Sequence, residues 1–228
     1  MSAKGFLSNP VATVAETVAW LHSRVSLTAH LKLDSRDIEP GDVFVACPGL
    51  SSDGRLYIEK ALALGASAVL FEAPATEAIE AAAAAGDTPM LPVTGLRALL
   101  GELGDTWYGR PSSALAVVAV TGTNGKTSSV QWIAHALGRN DKPCGTIGTL
   151  GAVLPDGQTL GGSLTTPDVL TVHRLLAAMR DAGAKAVAME ASSIGIEQGR
   201  MDGVRVALAA YTNLTRDHLD YHGTMERY

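Results

Sequence analysis

The strongest constraint on the fold is a strand-to-helix turn near the middle of the chain. Residues 115–120 (LAVVAV) form a nearly continuous apolar run, which is typical of a central parallel strand buried on both faces. The glycine-containing loop 121–127 (TGTNGKT) follows at once, and apolar residues then recur at helical spacing. This order predicts an α/β sheet whose ligands gather where the strand gives way to the helix.

Strands and helices alternate on both sides of residues 109–113 (GRPSS), which we interpret as a linker. The sequence therefore predicts an N-terminal α/β domain over residues 1–110 and a doubly wound parallel-sheet domain of the P-loop type over residues 111–228. In the first domain we expect a helix starting at Asn9-Pro10, strands at 42–46, 68–71 and 90–93, and helices at 57–64, 76–85 and from Leu96 to Trp107. In the second we expect strands at 115–120, 145–148, 185–190 and 204–211, with a helix after the loop and another at 167–182.

Bulk composition narrows the class of protein. The chain has 228 residues and 46% hydrophobic residues, enough for packed cores, but no apolar run long enough to cross a bilayer and no secretory signal pattern. The formal net charge is −5 and no basic stripe exists, so we expect no nucleic-acid partner. Cys47 and Cys144 lie in apolar settings. A disulfide, a metal pair or a nucleophile stays open, but the simplest interpretation is a cytoplasmic protein.

The central loop has the chemistry of a phosphate site. Backbone N–H groups of the turn and of the following helix can cradle an anion, and Lys126 supplies a point charge for the β- and γ-phosphates. The Thr127 hydroxyl suits one Mg²⁺ position. The general pattern G-x₄-G-K-[ST] is not met, because Val120 occupies its first glycine position. An ordinary turn is the alternative, but the position between a buried strand and an amphipathic helix favours a nucleoside triphosphate site.

Two further segments place polar residues at the same predicted sheet edge. Glu190 ends one strand and His218 follows the next, so the two could converge on Mg²⁺ or Mn²⁺, although each alone could be a solvated side chain. Thr166 and Pro167 are predicted to cap and open a helix. The same helix end could hold a carboxylate or a phosphate, and capping alone would also explain it.

The combination of motifs resembles the Mur ligases. It comprises GTNGKT (122–127), TTP (165–167), MEASS (189–193) and NLTRDHLDYHGTMERY (213–228), together with LDSR (33–36), GDVFVA (41–46) and DGR (53–55) in the first block. The pattern is most similar to the members that add the third residue to UDP-N-acetylmuramoyl-L-alanyl-D-glutamate. The members that add D-alanyl-D-alanine share the first-block motifs but typically lack the TNGKT form and the HLDYHG segment.

The resemblance implies roles for individual residues. The uridine diphosphate would contact Leu33, Ser35, Leu50, Ser51 and Ser52. ATP would be held by Gly122, Thr123, Asn124, Gly125, Lys126, Thr127 and Ser128. The muramoyl dipeptide would contact Thr165, Thr166, Ser192, Gln198 and Arg200. Thr127 would hold a first Mg²⁺, and Glu190 and His218 a second. Leu164 and Ile194 depart from the family pattern, which often has Asn and His there, and no role is carried to them.

The resemblance also implies a reaction. A carboxylate of the muramoyl dipeptide would attack the γ-phosphate of ATP, and the amine of an amino acid would then displace phosphate from the acyl phosphate. Lys126, Glu190 and His218 would carry the chemistry. The amino acid would be meso-diaminopimelate in preference to lysine, in a monomeric enzyme of peptidoglycan synthesis with roles in cell shape and division. We expect this chain alone to bind its ligands without completing ligation, because the family has a carbamylated lysine and a C-terminal domain that would follow Tyr228.

Other classes of function remain open at this point. A phosphotransferase with the same loop would move phosphate to a stable acceptor, and a regulatory module would bind ATP and UDP-sugars without turnover. A folate-polyglutamating relative shares the central loop, but the DSR-containing first block argues against it.

Overall fold

The structure, a computed structural model, describes residues 7–49, 52–161 and 164–228. The chain divides between Trp107 and Tyr108 into two compact units. The predicted domain boundary, between residues 110 and 111, lies close to this division and stays a prediction. No helix in the described part of the chain is both long and apolar enough to cross a membrane.

The first unit contains a four-stranded parallel sheet in the order β1-β2-β3-β4. Its elements in chain order are α1 (Val14–His22), β1 (Leu31–Lys32), β2 (Val43–Ala46), α2 (Ile58–Ala63), β3 (Ala68–Glu72), α3 (Glu77–Ala85), β4 (Met90–Val93) and α4 (Leu96–Trp107). Strands β2 and β4 are buried along their whole length, which explains why they appear as unbroken apolar runs in the sequence. Side chains of α2 and α3 pack onto one face of the sheet, around Phe44 and Phe71.

The second unit contains a five-stranded sheet in the order β7-β6-β8-β5-β9, with only the β6–β7 pair antiparallel. Its elements are β5 (Ala116–Thr121), α5 (Lys126–Gly138), β6 (Cys144–Gly148), β7 (Gly151–Val153), α6 (Val169–Asp181), β8 (Ala186–Glu190), α7 (Ser193–Glu197), β9 (Val206–Tyr211) and α8 (Leu219–His222). Both units are therefore α/β, as predicted, and the parallel sheet predicted for the second unit is confirmed apart from the β6–β7 pair.

Helices cover both faces of the second sheet. Val172, Leu176 and Met179 of α6 pack against one face, whereas Val130 of α5 packs with Val120 and Ala188 on the other. Alternate strand residues point to opposite faces, so β5 must be apolar at nearly every position to fill both cores. Gly183, which follows α6, has a positive φ of 83°, a conformation that glycine adopts readily just past the end of a helix.

The predicted helix start at Asn9-Pro10 is wrong. Leu7 and Val11 instead pair with β4 in parallel bridges, and Ser8 N donates to Met90 O at 2.9 Å. Helix α1 begins later, at Val14, where the Thr13 side chain accepts a hydrogen bond from Glu16 N. The apolar spacing that suggested an earlier start belongs partly to this extended segment. Sequence reasoning also missed the short strands β1 and β7.

Candidate functional site

The carboxyl ends of three neighbouring strands meet at one edge of the second sheet. In the register of the sheet, Val120 of β5 lies beside Glu190 of β8, and Thr121 lies beside Tyr211 of β9. The segments that follow these strands are the phosphate loop, the turn into α7 and residues 212–218. The parallel register therefore brings together three of the motifs that the sequence singled out.

The phosphate loop turns sharply between β5 and α5. Gly122 and Gly125 have φ angles of 122° and 85°, in a region that residues with a side chain rarely adopt. A Cβ atom on Gly122 would collide with the Thr212 side chain and lie 2.8 Å from Asn213 O. Gly125 caps α5, which begins at Lys126, so the backbone N–H groups of the first helical turn face the loop.

Residues 212–215 hold this loop in place. Thr123 N donates to Asn213 O at 2.9 Å, and Asn124 N donates to the Asn213 side chain at 3.1 Å. The Thr212 hydroxyl donates to Asn124 O at 2.7 Å, and Thr215 N donates to Thr123 Oγ1 at 2.9 Å. The polar residues of segment 212–215 (TNLT) thus fix the shape of the phosphate loop.

Lys126 points back over its own loop. Its Nζ atom donates to Gly122 O at 2.7 Å and to Thr123 O at 3.0 Å. The side chain is half-buried, and the ammonium group is therefore held beside the backbone groups that would surround a phosphate. Thr127 and Ser128 follow in the first turn of α5, with Thr127 half-buried and Ser128 exposed.

Glu190 is a buried carboxylate with partners from another strand connection. Its side chain is only 2% exposed, and its two oxygens accept hydrogen bonds from Thr149 N at 2.8 Å and Thr149 Oγ1 at 3.3 Å. The Thr149 hydroxyl also lies 3.1 Å from Thr165 Oγ1. Gly148 leaves room for the carboxylate, since a Cβ atom there would collide with it. Sequence reasoning missed Thr149, which lies in the two-residue turn between β6 and β7.

Thr166 joins the predicted dipeptide-binding residues into one network. Its hydroxyl is fully buried, contacts Glu190 O at 3.0 Å and accepts a hydrogen bond from Ser192 N at 3.0 Å. The prediction that Thr166 caps α6 is therefore wrong. Asp168 caps this helix, accepting from Leu170 N and Thr171 N at 3.1 Å. The Asp168 carboxylate lies two residues closer to the helix and accepts from its free N–H groups. The Thr166 hydroxyl is therefore free to bond to Glu190 O at the end of β8.

Arg200 and Gln198 extend the same network. Arg200 Nη1 donates to Thr166 O at 2.6 Å, and its Nη2 donates to Gln198 Oε1 at 2.7 Å. The Gln198 amide in turn donates to the Tyr221 hydroxyl at 3.2 Å. Five residues predicted from the resemblance thus lie within linked hydrogen bonds around Glu190: Thr165, Thr166, Ser192, Gln198 and Arg200.

His218 and Glu190 make different contacts. His218 has a positive φ of 51°, its N–H donates to Asp217 Oδ1 at 2.8 Å, and its ring lies edge-on to Tyr228. In the described residues, no group of three or more His, Cys, Asp or Glu side chains is arranged to hold a metal ion. The predicted ligand set contains only two such side chains and the Thr127 hydroxyl, so the metal assignment stays a prediction.

A cavity of about 350 Å³ opens beside the phosphate loop. Its walls include Thr121 and Gly122 of the loop, Ser193 and Glu197 of α7, and the rings of His222 and Tyr228. His222 is only 5% exposed, and its ring stacks on Tyr228. The sequence showed only a histidine-rich segment here, because no local spacing connects His222 with α7.

The predicted uridine-binding residues of the first unit lie beyond the carboxyl ends of β1 and β2. Leu33 is half-buried, and Ser35 is buried in a short 3-10 helix that Asp34 caps. The Ser52 hydroxyl lies 3.0 Å from the Tyr57 hydroxyl. The predicted residues Leu50 and Ser51 lie outside the described residues.

Neither cysteine has the environment of a nucleophile. Both thiols are free. Burial raises the pKa of Cys47 to about 11 and also raises the pKa of Cys144. Both thiols therefore lie in apolar surroundings, as the flanking sequence indicates.

Comparisons with known proteins identify both units. Residues 120–228 match the Mur ligase middle domain, and residues 28–108 match the domain described as the Mur ligase family, catalytic domain. A UDP-N-acetylmuramoyl-L-alanyl-D-glutamate–2,6-diaminopimelate ligase of Xanthomonas oryzae pv. oryzae is 52% identical over 198 residues, which is 87% of this chain and 39% of that protein. The Pseudomonas syringae pv. tomato ligase of the same name is 47% identical, over 90% of this chain and 41% of its own length.

Solved structures agree with these matches. A structure of a UDP-N-acetylmuramoyl-L-alanyl-D-glutamate–2,6-diaminopimelate ligase is 33% identical and has a TM-score of 0.63, over 87% of this chain and 39% of that one. The MurF ligase from Thermotoga maritima in complex with ADP shares the fold, with 24% identity and a TM-score of 0.55 over 88% of this chain and 41% of that one. The chain spans about two fifths of the length of the relatives it matches. With both of its units matched, by sequence and by structure, the chain belongs to the Mur ligase family.

Proposed function

We propose that this chain provides the ATP site and the UDP-substrate site of a ligase that adds meso-diaminopimelate to UDP-N-acetylmuramoyl-L-alanyl-D-glutamate. The observation that carries the proposal is the convergence, at one sheet edge, of the phosphate loop with the Glu190 network. Relatives about half identical to this chain bear the name of that activity. Monomeric and cytoplasmic action in peptidoglycan synthesis, cell shape and division belongs to the same proposal.

The geometry of the loop fits a nucleotide. Gly122 and Gly125 permit the turn, and Lys126 already places its ammonium group among the loop carbonyls. Phosphate oxygens can replace those carbonyls as acceptors for Lys126 and take hydrogen bonds from backbone N–H groups at the start of α5. Thr123, Asn124 and Ser128 complete the proposed ATP site.

The oxygen donors nearby suit Mg²⁺, which prefers carboxylates and hydroxyls. Thr127 would hold one ion at the nucleotide, and the Glu190 carboxylate would hold another together with an imidazole nitrogen of His218. Such ions neutralise phosphate charge when bound. In a ligation, the ATP phosphates and the dipeptide carboxylate repel each other and must be brought together. Residues placed on both sides of the site hold the two groups close to each other. Lys126 approaches from the phosphate loop, while Arg200 and the Thr166–Ser192 pair hold the dipeptide.

In the first unit, we propose that Leu33, Ser35, Leu50, Ser51 and Ser52 bind the uridine diphosphate. Support for this assignment is the position of Leu33, Ser35 and Ser52 after parallel strands, at the edge where ligands of such sheets bind.

Titration of the chain with ATP and Mg²⁺ tests the nucleotide site. Lys126→Ala removes one charge-assisted phosphate contact and should weaken ATP binding by about 1.5–3 kcal/mol, or roughly 10- to 100-fold. Lys142→Ala, at an exposed lysine beyond α5, is the matched control and should bind as the wild type does. An unchanged ATP affinity of Lys126→Ala would exclude the proposed site.

Titration with the UDP-muramoyl dipeptide tests the substrate site in the same way. Arg200→Ala should weaken this ligand, whereas the exposed Arg139→Ala should not. Nucleotide products measured with the dipeptide and diaminopimelate separate the reaction classes. Release of ADP with the phosphate on a stable acceptor would identify a phosphotransferase and contradict the proposal, whereas absence of the amide alone is expected of this chain.

A further inference from the structure

His222 lies where two series of contacts meet, one through hydrogen bonds to α7 and the other through the ring of Tyr228. Its Nε2 atom is 2.9 Å from Ser193 Oγ, and its Nδ1 atom is 3.3 Å from Glu197 Oε2. A carboxylate beside Nδ1 favours the tautomer that carries the proton there, so that Nε2 accepts from the Ser193 hydroxyl. Ser193 and Glu197 are four residues apart on α7, and this spacing lets one helical turn grip both nitrogens of the ring.

One series of contacts connects His222 with the substrate network, by which we mean the linked hydrogen bonds of Thr166, Ser192 and Arg200. The cap of α7 is Ser192, whose hydroxyl accepts from Gly195 N at 3.1 Å. The Ser192 backbone N–H donates to Thr166, and Thr166 O accepts from Arg200. Any movement of α7 therefore shifts the hydrogen bonds of the residues proposed to bind the dipeptide.

The other series of contacts connects His222 with the phosphate loop. The His222 ring stacks on Tyr228, with ring centroids 5.2 Å apart and planes inclined by 27°. The Tyr228 hydroxyl lies 2.8 Å from Thr123 Oγ1, and Thr123 is a buried residue of the loop. Because His222 is itself 95% buried, it has little freedom to move without disturbing its contacts with α7 or with Tyr228.

We propose that His222 is a positioning residue that couples the phosphate loop to the substrate network through Tyr228 on one side and α7 on the other. A ligand at either end would fix the side chains of the connection, and the second ligand then finds these side chains already placed, which gives positive cooperativity without a change of the backbone. This inference rests on the proposed function, since it needs a nucleotide in the loop and the UDP-muramoyl dipeptide at Thr166 and Arg200.

Two variants cut the connection at different links and keep the ring packing. His222→Phe retains the stack on Tyr228 but loses the contacts with Ser193 and Glu197. Tyr228→Phe retains the stack but loses the bond to Thr123. The measurement is the affinity of the chain for a non-hydrolysable ATP analogue with Mg²⁺, with and without saturating UDP-muramoyl dipeptide, and the reverse titration.

In the wild type, each ligand should raise the affinity for the other by about fivefold or more, and by the same factor in both directions. Each variant should bring this factor close to one. The double variant should lose no more coupling than either single variant, because both substitutions interrupt the same connection. His135→Phe, at an exposed histidine of α5, should keep the wild-type factor. A melting experiment on each variant separates stability from coupling, since a purely structural His222 would lower the melting temperature and leave the factor unchanged.

The outcomes distinguish this inference from the proposed function. Binding of both ligands without cooperativity in the wild type, or full cooperativity in the two variants, overturns the role of His222 alone. Failure of the wild type to bind either ligand overturns the proposed function and this inference together.

Discussion

The two units place their predicted ligand-binding residues at the same kind of sheet edge but support them differently. In the second unit, two of the predicted residues bond to distant parts of the chain: Thr166 bonds to Ser192, and Thr123 bonds to Thr215. In the first unit, the charged side chains beside the predicted residues pair two positions apart, as Asp34 does with Arg36 and Asp53 with Arg55.

This difference is one of energetics as well as of connectivity. Removing one partner of a buried hydrogen bond leaves the other partner unsatisfied, whereas the charged pairs of the first unit are at least partly exposed, so water can solvate the group that remains. Substitutions at the second site should therefore cost more than substitutions at the first. Three variants test this order, from the largest expected effect to the smallest.

Gly122→Ala should have the largest effect. The new Cβ atom would collide with the Thr212 side chain and lie 2.8 Å from Asn213 O, at a φ of 122°. We expect a loss of more than about 3 kcal/mol in unfolding free energy together with loss of ATP binding. Denaturant unfolding followed by circular dichroism measures the first effect, and titration measures the second.

Gly157→Ala is the matched control, because Gly157 also has a positive φ, of 91°, but no atom lies within 4 Å of its Cβ position. It should cost only about 1–2 kcal/mol, from backbone strain alone. Equal losses in the two variants would mean that residues 212–213 do not hold the loop tightly.

Thr166→Val should have an intermediate effect. Valine has the same shape but cannot accept from Ser192 N or bond to Glu190 O, which leaves both backbone groups buried without this partner. The expected loss is about 1–3 kcal/mol of unfolding free energy, with weaker binding of the UDP-muramoyl dipeptide. Thr159→Val, at an exposed threonine of the same unit, should change neither quantity appreciably. A Thr166→Val protein as stable as the wild type would break the contrast between the units.

Asp53→Asn should have the smallest effect, and it should depend on pH. The Arg55 guanidinium, bonded to Asp53 at 2.8 Å, holds the pKa of that carboxyl below its usual value. The stabilisation is therefore fully present above the unfolded-state pKa of about 4 and is lost as the pH falls through the lower folded-state pKa. At neutral pH we expect a loss of at most about 1 kcal/mol.

Unfolding of the wild type and the variant at pH 7 and well below pH 4 checks the sign, because the two proteins should converge in acid. Asp37→Asn, at an exposed aspartate of the same unit, serves as the control. A difference that grows as the pH falls would contradict the assignment of the pair.

Strands β2 and β4 were predictable because burial along their whole length leaves a continuous apolar run, whereas β9 is apolar although most of its residues are exposed. The short strands β1 and β7 were not predictable, since two or three residues carry no periodicity. The start of α1 was misplaced because Leu7 and Val11 contribute apolar side chains from an extended segment beside β4. Pairing with a strand some 80 residues away has no signature in the local sequence.

The candidate site shows the same limit. Motifs within one segment, such as the phosphate loop, can be recognised from glycine, lysine and threonine spacing. The Thr149–Glu190 and Ser193–His222 contacts join residues 41 and 29 positions apart, and nothing near Thr149 or His222 announces them. Thr166 and Asp168 could each cap α6, and the local sequence does not show which of them does. Asp168 caps the helix, and the Thr166 hydroxyl bonds instead to Glu190 O at the end of β8.

The position of Lys126 has a consequence for the speed of ligand capture. Its ammonium group is bonded to Gly122 O and Thr123 O, and the loop around it is fixed by Asn213 and Thr215. At the proposed site, a triphosphate would displace these two carbonyls from Lys126 by a side-chain rotation, while the backbone of the loop is already held in place. The observed association rate should therefore rise linearly with nucleotide concentration, without the plateau that marks a rate-limiting conformational step.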